Sequence, residues 1–98
     1  MLERKVEDAL VAGVKDRGGV AWKWLIRGTR GIPDRICFLP GGVLLLVELK
    51  RPKGGRVSGP QHTIARLLGK LGFVVHLAFT IEQVEQLLKG YDYDNGAR

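Results

Sequence analysis

The apolar segment from Val43 to Leu49, VLLLVEL, carries one charged residue, Glu48. An apolar run of this length is typical of a central strand that is covered on both faces. A carboxylate buried in such a strand is costly unless it is paired with a cation or bound to a metal ion. Lys50 follows two positions later and projects to the same side of an extended chain. The segment therefore indicates either an ion pair at a strand end or a charged functional site.

The rest of the chain predicts a small α/β domain. Apolar residues at helical spacing predict a first helix over 3–17, ended by two glycines. Strands are predicted over 20–26, 35–39, 43–50 and 73–79. Ser58 and Gln61 form a capping box that begins a second helix through 71, and Thr80 and Gln83 offer a second box for a third helix. The order α-β-β-β-α-β-α predicts a mixed central sheet flanked by helices, with the last two strands parallel. We expect one domain over 1–90 and a frayed polar tail over 91–98.

Composition restricts the class of protein further. The net charge of the 98 residues is +6 and the pI is about 9.9, which favours a polyanionic partner. The longest apolar run is too short to span a bilayer, so no membrane partner is expected. The charged N-terminus has no secretory apolar core. The single Cys37 excludes an internal disulfide and fits a reducing compartment. We therefore expect a cytoplasmic protein.

A second carboxylate lies where the preceding strand begins. Asp34 follows Pro33, and a short turn over 40–42 connects its strand to the one that carries Glu48. If the turn is symmetric and the strands are antiparallel, residues whose numbers sum to about 82 lie opposite each other, which places Asp34 opposite Glu48. A slip by one residue would put the two groups on opposite faces. The symmetric register predicts that Asp34, Glu48 and Lys50 share one patch.

Two carboxylates held close together repel each other unless a cation lies between them. Dense carboxylate oxygens suit Mg²⁺, which activates water and stabilises charge on phosphoryl oxygens. Lys50 would orient the attacking water or neutralise charge that develops on phosphorus. The patch therefore indicates phosphodiester hydrolysis.

The pattern Pro33-Asp34, then Glu48-Leu49-Lys50, resembles the PD-(D/E)XK nuclease core. The longer pattern GGVAWKW…RGIPDRICFLPGGVLLLVELKRP…SGPQ…LGFVVHL resembles the virus-type replication-repair nuclease domain, VRR-NUC, of the stand-alone phage or bacterial type. The resemblance runs from about residue 6 to residue 88. It implies a restriction-endonuclease-like fold and an Mg²⁺- or Mn²⁺-dependent endonuclease that acts on DNA.

The resemblance also implies roles for individual residues. Asp34, Glu48 and the backbone carbonyl of Leu49 would bind the metal, and Lys50 matches the catalytic lysine. Gln61 matches a glutamine that contacts the metal-bound water or the phosphate. A glutamate of the first helix completes the set, directly or through a water.

Two of these assignments have alternatives. Glu3 and Glu7 lie one turn apart on nearly the same helix face, so periodicity does not separate them; the resemblance favours Glu7. Either one could instead be a solvated acid near a helix N-terminus. Gln61 also fits the capping box, a role that is compatible with a place in the active site.

Basic residues in loops and at strand ends flank the carboxylates. Cations of this kind neutralise phosphates without reading sequence; the alternative for the RGTRG segment is a solvated basic turn. The candidate nucleic-acid-binding residues are Arg27, Arg30, Arg35, Arg51, Lys53 and Arg56. Trp22 and Trp24 are expected in the core or at a subunit interface rather than stacked on bases.

One small domain holds one active site, so symmetric cleavage of two strands requires a C2 dimer. The resemblance therefore favours a homodimer that nicks branched DNA, such as four-way junctions, in a bacterial or phage-infected cell. Two alternatives remain. The chain could be a non-catalytic basic DNA-binding module, or a nuclease subunit that is inert outside a repair or restriction complex.

Overall fold

The structure, a computed structural model, describes residues 2–51 and 54–92, with only the backbone of Leu2 and Glu3. Its elements follow the predicted order: α1 (Leu2–Asp16), β1 (Val20–Lys23), β2 (Arg35–Leu39), β3 (Val43–Leu49), α2 (Gly59–Lys70), β4 (Val75–Ala78) and α3 (Ile81–Lys89). The strands form one sheet in the order β1-β2-β3-β4. The first three strands are antiparallel neighbours, and β4 is parallel to β3. The predicted mixed sheet is therefore confirmed.

The hydrophobic core lies between one face of the sheet and helices α1 and α3. Alternate strand residues such as Cys37, Leu45 and Val47 meet Leu10 of α1 and Leu88 of α3 there. Burial raises the pKa of the Cys37 thiol to about 11, so the thiol stays protonated and packs as a small apolar group. This one-sided core fixes β3 as the rigid strand on which Glu48 is presented.

Two strands are shorter than the predicted 20–26 and 73–79. The β1–β2 ladder continues one step past Lys23, where the Trp24 N–H donates to the Asp34 carbonyl at 3.1 Å. The next residue, Leu25, would oppose Pro33, which has no N–H to pair. At β4, the Phe73 N–H donates to the Leu68 carbonyl and closes the end of α2 instead of entering the sheet. In both cases the backbone donors that a longer ladder needs are missing or already used.

The second face of the sheet is only partly covered, although β3 was expected to be covered by helices on both faces. Helix α2 lies against β4 on this side and contributes no fully buried residue. Trp22 is 59% exposed and meets Phe38 edge-on, with ring centroids 5.8 Å apart. Val20 and Leu44 lie beside them on the same face and are also exposed. The four residues Val20, Trp22, Phe38 and Leu44 are called the open apolar face below.

The C-terminal segment begins as part of the fold. Tyr91 packs against the core and its N–H donates to the Leu88 carbonyl, while Asp92 pairs with Arg17. These two residues therefore differ from the expected frayed tail, and residues 93–98 lie outside the described part. In the described ranges no helix is long and apolar enough to cross a membrane.

Candidate active site

The strand register brings Asp34 and Glu48 together. Arg35 pairs with Val47 and Ile36 with Leu46, so residue numbers sum to 82 along the ladder, as the symmetric turn predicts. One step beyond this ladder, the Asp34 N–H donates to Glu48 Oε1 at 3.2 Å. The Leu49 N–H donates to Asp34 Oδ2 at 2.8 Å. The Glu48 carboxylate is thus held by the backbone amide of Asp34, and the Asp34 carboxylate by the backbone amide of Leu49, the residue after Glu48.

Glu48 is the one buried charged residue in the described part of the chain, and its side chain is 3% exposed. The Lys50 Nζ lies 3.3 Å from Glu48 Oε2, which forms an ion pair. Beside this ammonium, Glu48 Oε2 is buried without a hydrogen-bond donor. The predicted patch of two carboxylates and one ammonium is present, and one oxygen of its buried carboxylate lacks a hydrogen-bond donor.

Both carboxyl groups are harder to ionise than in water. Burial raises the pKa of Glu48, and the neighbouring Asp34 charge raises it further. Burial likewise raises the pKa of Asp34, with Glu7 adding to the effect. Lys50 and the backbone amides act in the opposite direction on both groups without reversing it. A cation bound between them would remove the repulsion and favour the ionised forms.

Glu7 of α1 reaches the same region. Its Oε2 accepts a hydrogen bond from Arg35 Nε at 3.0 Å and pairs with Arg35 Nη2 at 2.8 Å. Its charge acts on Asp34, and both residues line one cleft. The side chain of Glu3 lies outside the described residues, so the structure describes the surroundings of Glu7 only.

Arg35 was expected among the phosphate contacts, and the structure gives it another place. Its side chain is 14% exposed, and Nη1 donates to the Ala21 carbonyl at 2.9 Å while the other nitrogens bind Glu7. A guanidinium whose donors are used in this way links α1 to β1 and β2 rather than facing a ligand. Arg35 is therefore removed from the candidate phosphate contacts.

A cleft of about 820 Å³ opens beside Asp34. The cleft is lined by Glu7, Asp34 and Leu49 and by residues at the end of β1 and in the β1–β2 connection, among them Lys23, Arg27 and neighbouring apolar residues. Acidic and basic groups thus line the same open space. The volume falls within the range of about 300–1,000 Å³ in which proteins bind small ligands, so a nucleotide-sized group fits.

Gln61 does not line this cleft but lies near Glu48 at the start of α2. Its Oε1 accepts from the Ser58 N–H at 2.9 Å and its N–H donates to Ser58 Oγ at 3.2 Å, which confirms the capping box. Gln61 and Glu48 both line a small cavity of about 100 Å³ at the start of α2. The capping role and a position near the carboxylates therefore coexist.

The remaining candidate cations are less closely tied to the site. Arg30, Arg51 and Arg56 are exposed. Lys53 lies outside the described residues. Lys23, which lines the cleft, was not among the candidates, because its position in a strand gave no sign that β1 ends beside the carboxylates.

The donor set suits a hard divalent cation. Among residues 4–51 and 54–92, no three His, Cys, Asp or Glu side chains converge closely enough to hold a metal ion together. Mg²⁺, however, is commonly bound through one or two carboxylates and retains several waters. The pair Asp34 and Glu48, with the unsatisfied Glu48 Oε2, meets that requirement.

Comparisons with known proteins identify a solved structure with the same fold and a related phage protein. No model of a known protein family matches the chain. A solved structure described as a VRR_NUC domain superposes with a TM-score of 0.86 and 26% sequence identity, over 93% of this chain and 98% of that one. The chain is also 44% identical over 50 residues to "Putative nuclease p44" of Acyrthosiphon pisum secondary endosymbiont phage 1. That match covers 51% of this chain and 54% of the relative, so the chain spans about half the length of the curated relative.

Proposed function

By its fold and by the sequence it shares with that solved domain, the chain belongs to the VRR-NUC family, and on this premise we propose that it is a DNA nuclease that requires Mg²⁺ or Mn²⁺. The observation that carries the proposal is the pairing of Asp34 with the buried Glu48, where Asp34 lines a cleft that Lys23 and Arg27 also line. A protein that only bound DNA would gain nothing from two carboxylates that repel each other and the phosphates.

In this proposal Asp34, Glu48 and the Leu49 carbonyl hold the metal ion. When bound, such an ion supplies a nucleophile at neutral pH and stabilises charge on a phosphoryl oxygen. Lys50 holds a positive charge next to Glu48 and orients the attacking water or offsets the negative charge that builds on phosphorus. Gln61 contacts the same water or the phosphate from the start of α2. Glu7 takes part through a water, while its pair with Arg35 fixes its position.

The proposed substrate is branched DNA, cut by a homodimer. Phosphate contacts by Arg27, Arg30, Arg51 and Arg56 would give affinity without sequence preference. The open apolar face supports a dimer, since an exposed patch rich in aromatic and aliphatic side chains is typical of a protein interface. A C2 dimer through this face would carry two active sites for two strands. The cytoplasm of a bacterial or phage-infected cell is the proposed location.

The function can be tested with purified protein and labelled DNA. Four-way junctions, forks and matched duplexes are incubated with Mg²⁺, Mn²⁺, Ca²⁺ or EDTA, and products are resolved on denaturing gels. We expect nicks near the branch point with Mg²⁺ or Mn²⁺ and none with EDTA. Sedimentation equilibrium is expected to give the mass of a dimer. Junction binding without cleavage in either metal would favour a non-catalytic DNA-binding module instead.

A further inference from the structure

The cleft beside Asp34 is lined in part by an exposed apolar tip of the β1–β2 connection. Leu25 is 84% exposed and Ile26 is 42% exposed, and both line the cleft together with Asp34. Nothing in the catalytic proposal uses them. Single exposed apolar residues are common on protein surfaces, but two adjacent ones that line a charged cleft form a site where an apolar group can be bound.

The connection that carries this tip is held in place at both ends. The Trp24 N–H donates to the Asp34 carbonyl, and the Thr29 N–H donates to the Ile26 carbonyl at 3.3 Å, which closes a turn just after the tip. Farther along, Gly31 lies against the Pro60 backbone and Pro33 is buried. The apolar pair is therefore presented on a braced loop.

Cations flank the apolar pair on either side. Lys23 precedes it and Arg27 follows it, and both line the same cleft. This alternation suits a nucleic-acid strand, in which charged phosphates run beside apolar base faces. An apolar peptide would leave the two cations unpaired, whereas a DNA strand satisfies both kinds of group. The flanking charges thus identify the occupant as DNA.

We propose that Leu25 and Ile26 form a wedge that contacts the faces of unstacked bases next to the scissile phosphate. Aliphatic side chains are known to insert between base steps in this manner, and the cost of unstacking is lowest where pairing is already broken. The wedge would therefore make the protein prefer branch points over continuous duplex. This inference rests on the proposed function and adds the residues that select the substrate.

The test separates the wedge from catalysis by measuring binding and base unstacking in Ca²⁺. A four-way junction and a duplex carry 2-aminopurine, whose fluorescence rises when it is unstacked, beside the branch point or at the matching duplex site. For Leu25→Ser we expect the junction-over-duplex affinity ratio to fall about tenfold or more, with loss of the fluorescence rise. Duplex affinity should be unchanged, because the phosphate contacts remain.

Two further variants make the result specific. Leu71→Ser removes another exposed leucine at the far end of α2, and it should leave both readings as in the wild type. Leu25→Phe restores an apolar side chain and should restore the preference. Thermal melting of each variant establishes that it is folded.

The possible outcomes are distinct. A wild-type protein that cleaves DNA, together with a Leu25→Ser variant that keeps both the affinity ratio and the fluorescence rise, would overturn the wedge and leave the nuclease proposal standing. A change of oligomeric state in Leu25→Ser would also overturn it, since the tip would then be a subunit contact. If the wild-type protein cuts no DNA but Leu25→Ser still loses the junction preference, the wedge would be supported and the nuclease proposal overturned.

Discussion

Replacing Asp34 by asparagine is expected to lower the rate of DNA cleavage by on the order of 100-fold or more, and to leave the melting temperature equal or higher. The loss of rate follows because the amide cannot provide the negative charge that holds a divalent cation beside Glu48. An equal or higher stability follows because Asp34 is partly buried and is repelled by Glu7, and because its charge acts unfavourably on the buried Glu48. The asparagine oxygen can still accept the hydrogen bond from the Leu49 N–H.

Asp8→Asn is the matched control, since it makes the same change of charge at an exposed position of α1. We expect it to keep both the cleavage rate and the junction affinity of the wild type. Cleavage is measured in single-turnover gel assays and stability by thermal melting. An Asp34→Asn variant that cuts at the wild-type rate would remove Asp34 from the proposed metal ligands. A marked fall in melting temperature would show that its charge stabilises the fold.

Gly31→Ala is expected to destabilise the protein by about 2–5 kcal/mol and to abolish cleavage. Gly31 has a φ of 87°, which costs an L-residue about 1–2 kcal/mol. A Cβ at this position would also lie 2.2 Å from the Pro60 carbonyl oxygen, so the start of α2 must move, at a cost of about 1–3 kcal/mol. That movement displaces Gln61 relative to Glu48 and shifts the loop that leads to Asp34.

Gly28→Ala is an informative control for this contact. Gly28 has a φ of 82°, nearly the same as Gly31, but a Cβ there meets nothing within 4 Å. Gly28→Ala should lower the free energy of unfolding by about 1–2 kcal/mol, which is the backbone strain alone. The difference between the two variants in free energy of unfolding, measured with urea, reports the steric overlap with Pro60. Equal destabilisation would contradict the close packing of Gly31 against α2.

The sequence allowed the central part of the site to be predicted because strand geometry is nearly fixed. A short turn of known centre determines which residues face each other, and the predicted sum of 82 is the register observed. The alternation of side chains then places Lys50 with Glu48. The Ser58–Gln61 capping box was equally local, and its residues interact as predicted.

Features that depend on long-range packing were not predictable in the same way. Nothing in the sequence around Arg35 indicates that α1 passes close enough for Glu7 to form an ion pair with the Arg35 guanidinium. The largely apolar residues 20–26 predicted a strand that continues to Ile26. The end of β1 is set instead by its partner strand, where Pro33 has no backbone N–H to donate. The exposure of Leu25 follows from that early end, so the proposed wedge could be recognised only in the structure.

The candidate site also lowers the folding stability of a small domain. Glu48 occupies an otherwise apolar strand and leaves one oxygen without a donor, at a cost in folding free energy that a leucine would avoid. Lys50 and the Asp34 N–H recover part of this cost. Retention of a costly buried carboxylate is expected of a residue that acts on a ligand rather than on the fold.

The most direct test of the proposed metal site is an anomalous difference map from crystals soaked in Mn²⁺. The account predicts a peak in contact with the Asp34 and Glu48 carboxylates and the Leu49 carbonyl, and no such peak in crystals of Asp34→Asn. Well-ordered carboxylates without a peak between them, at a manganese concentration that supports cleavage, would contradict the account.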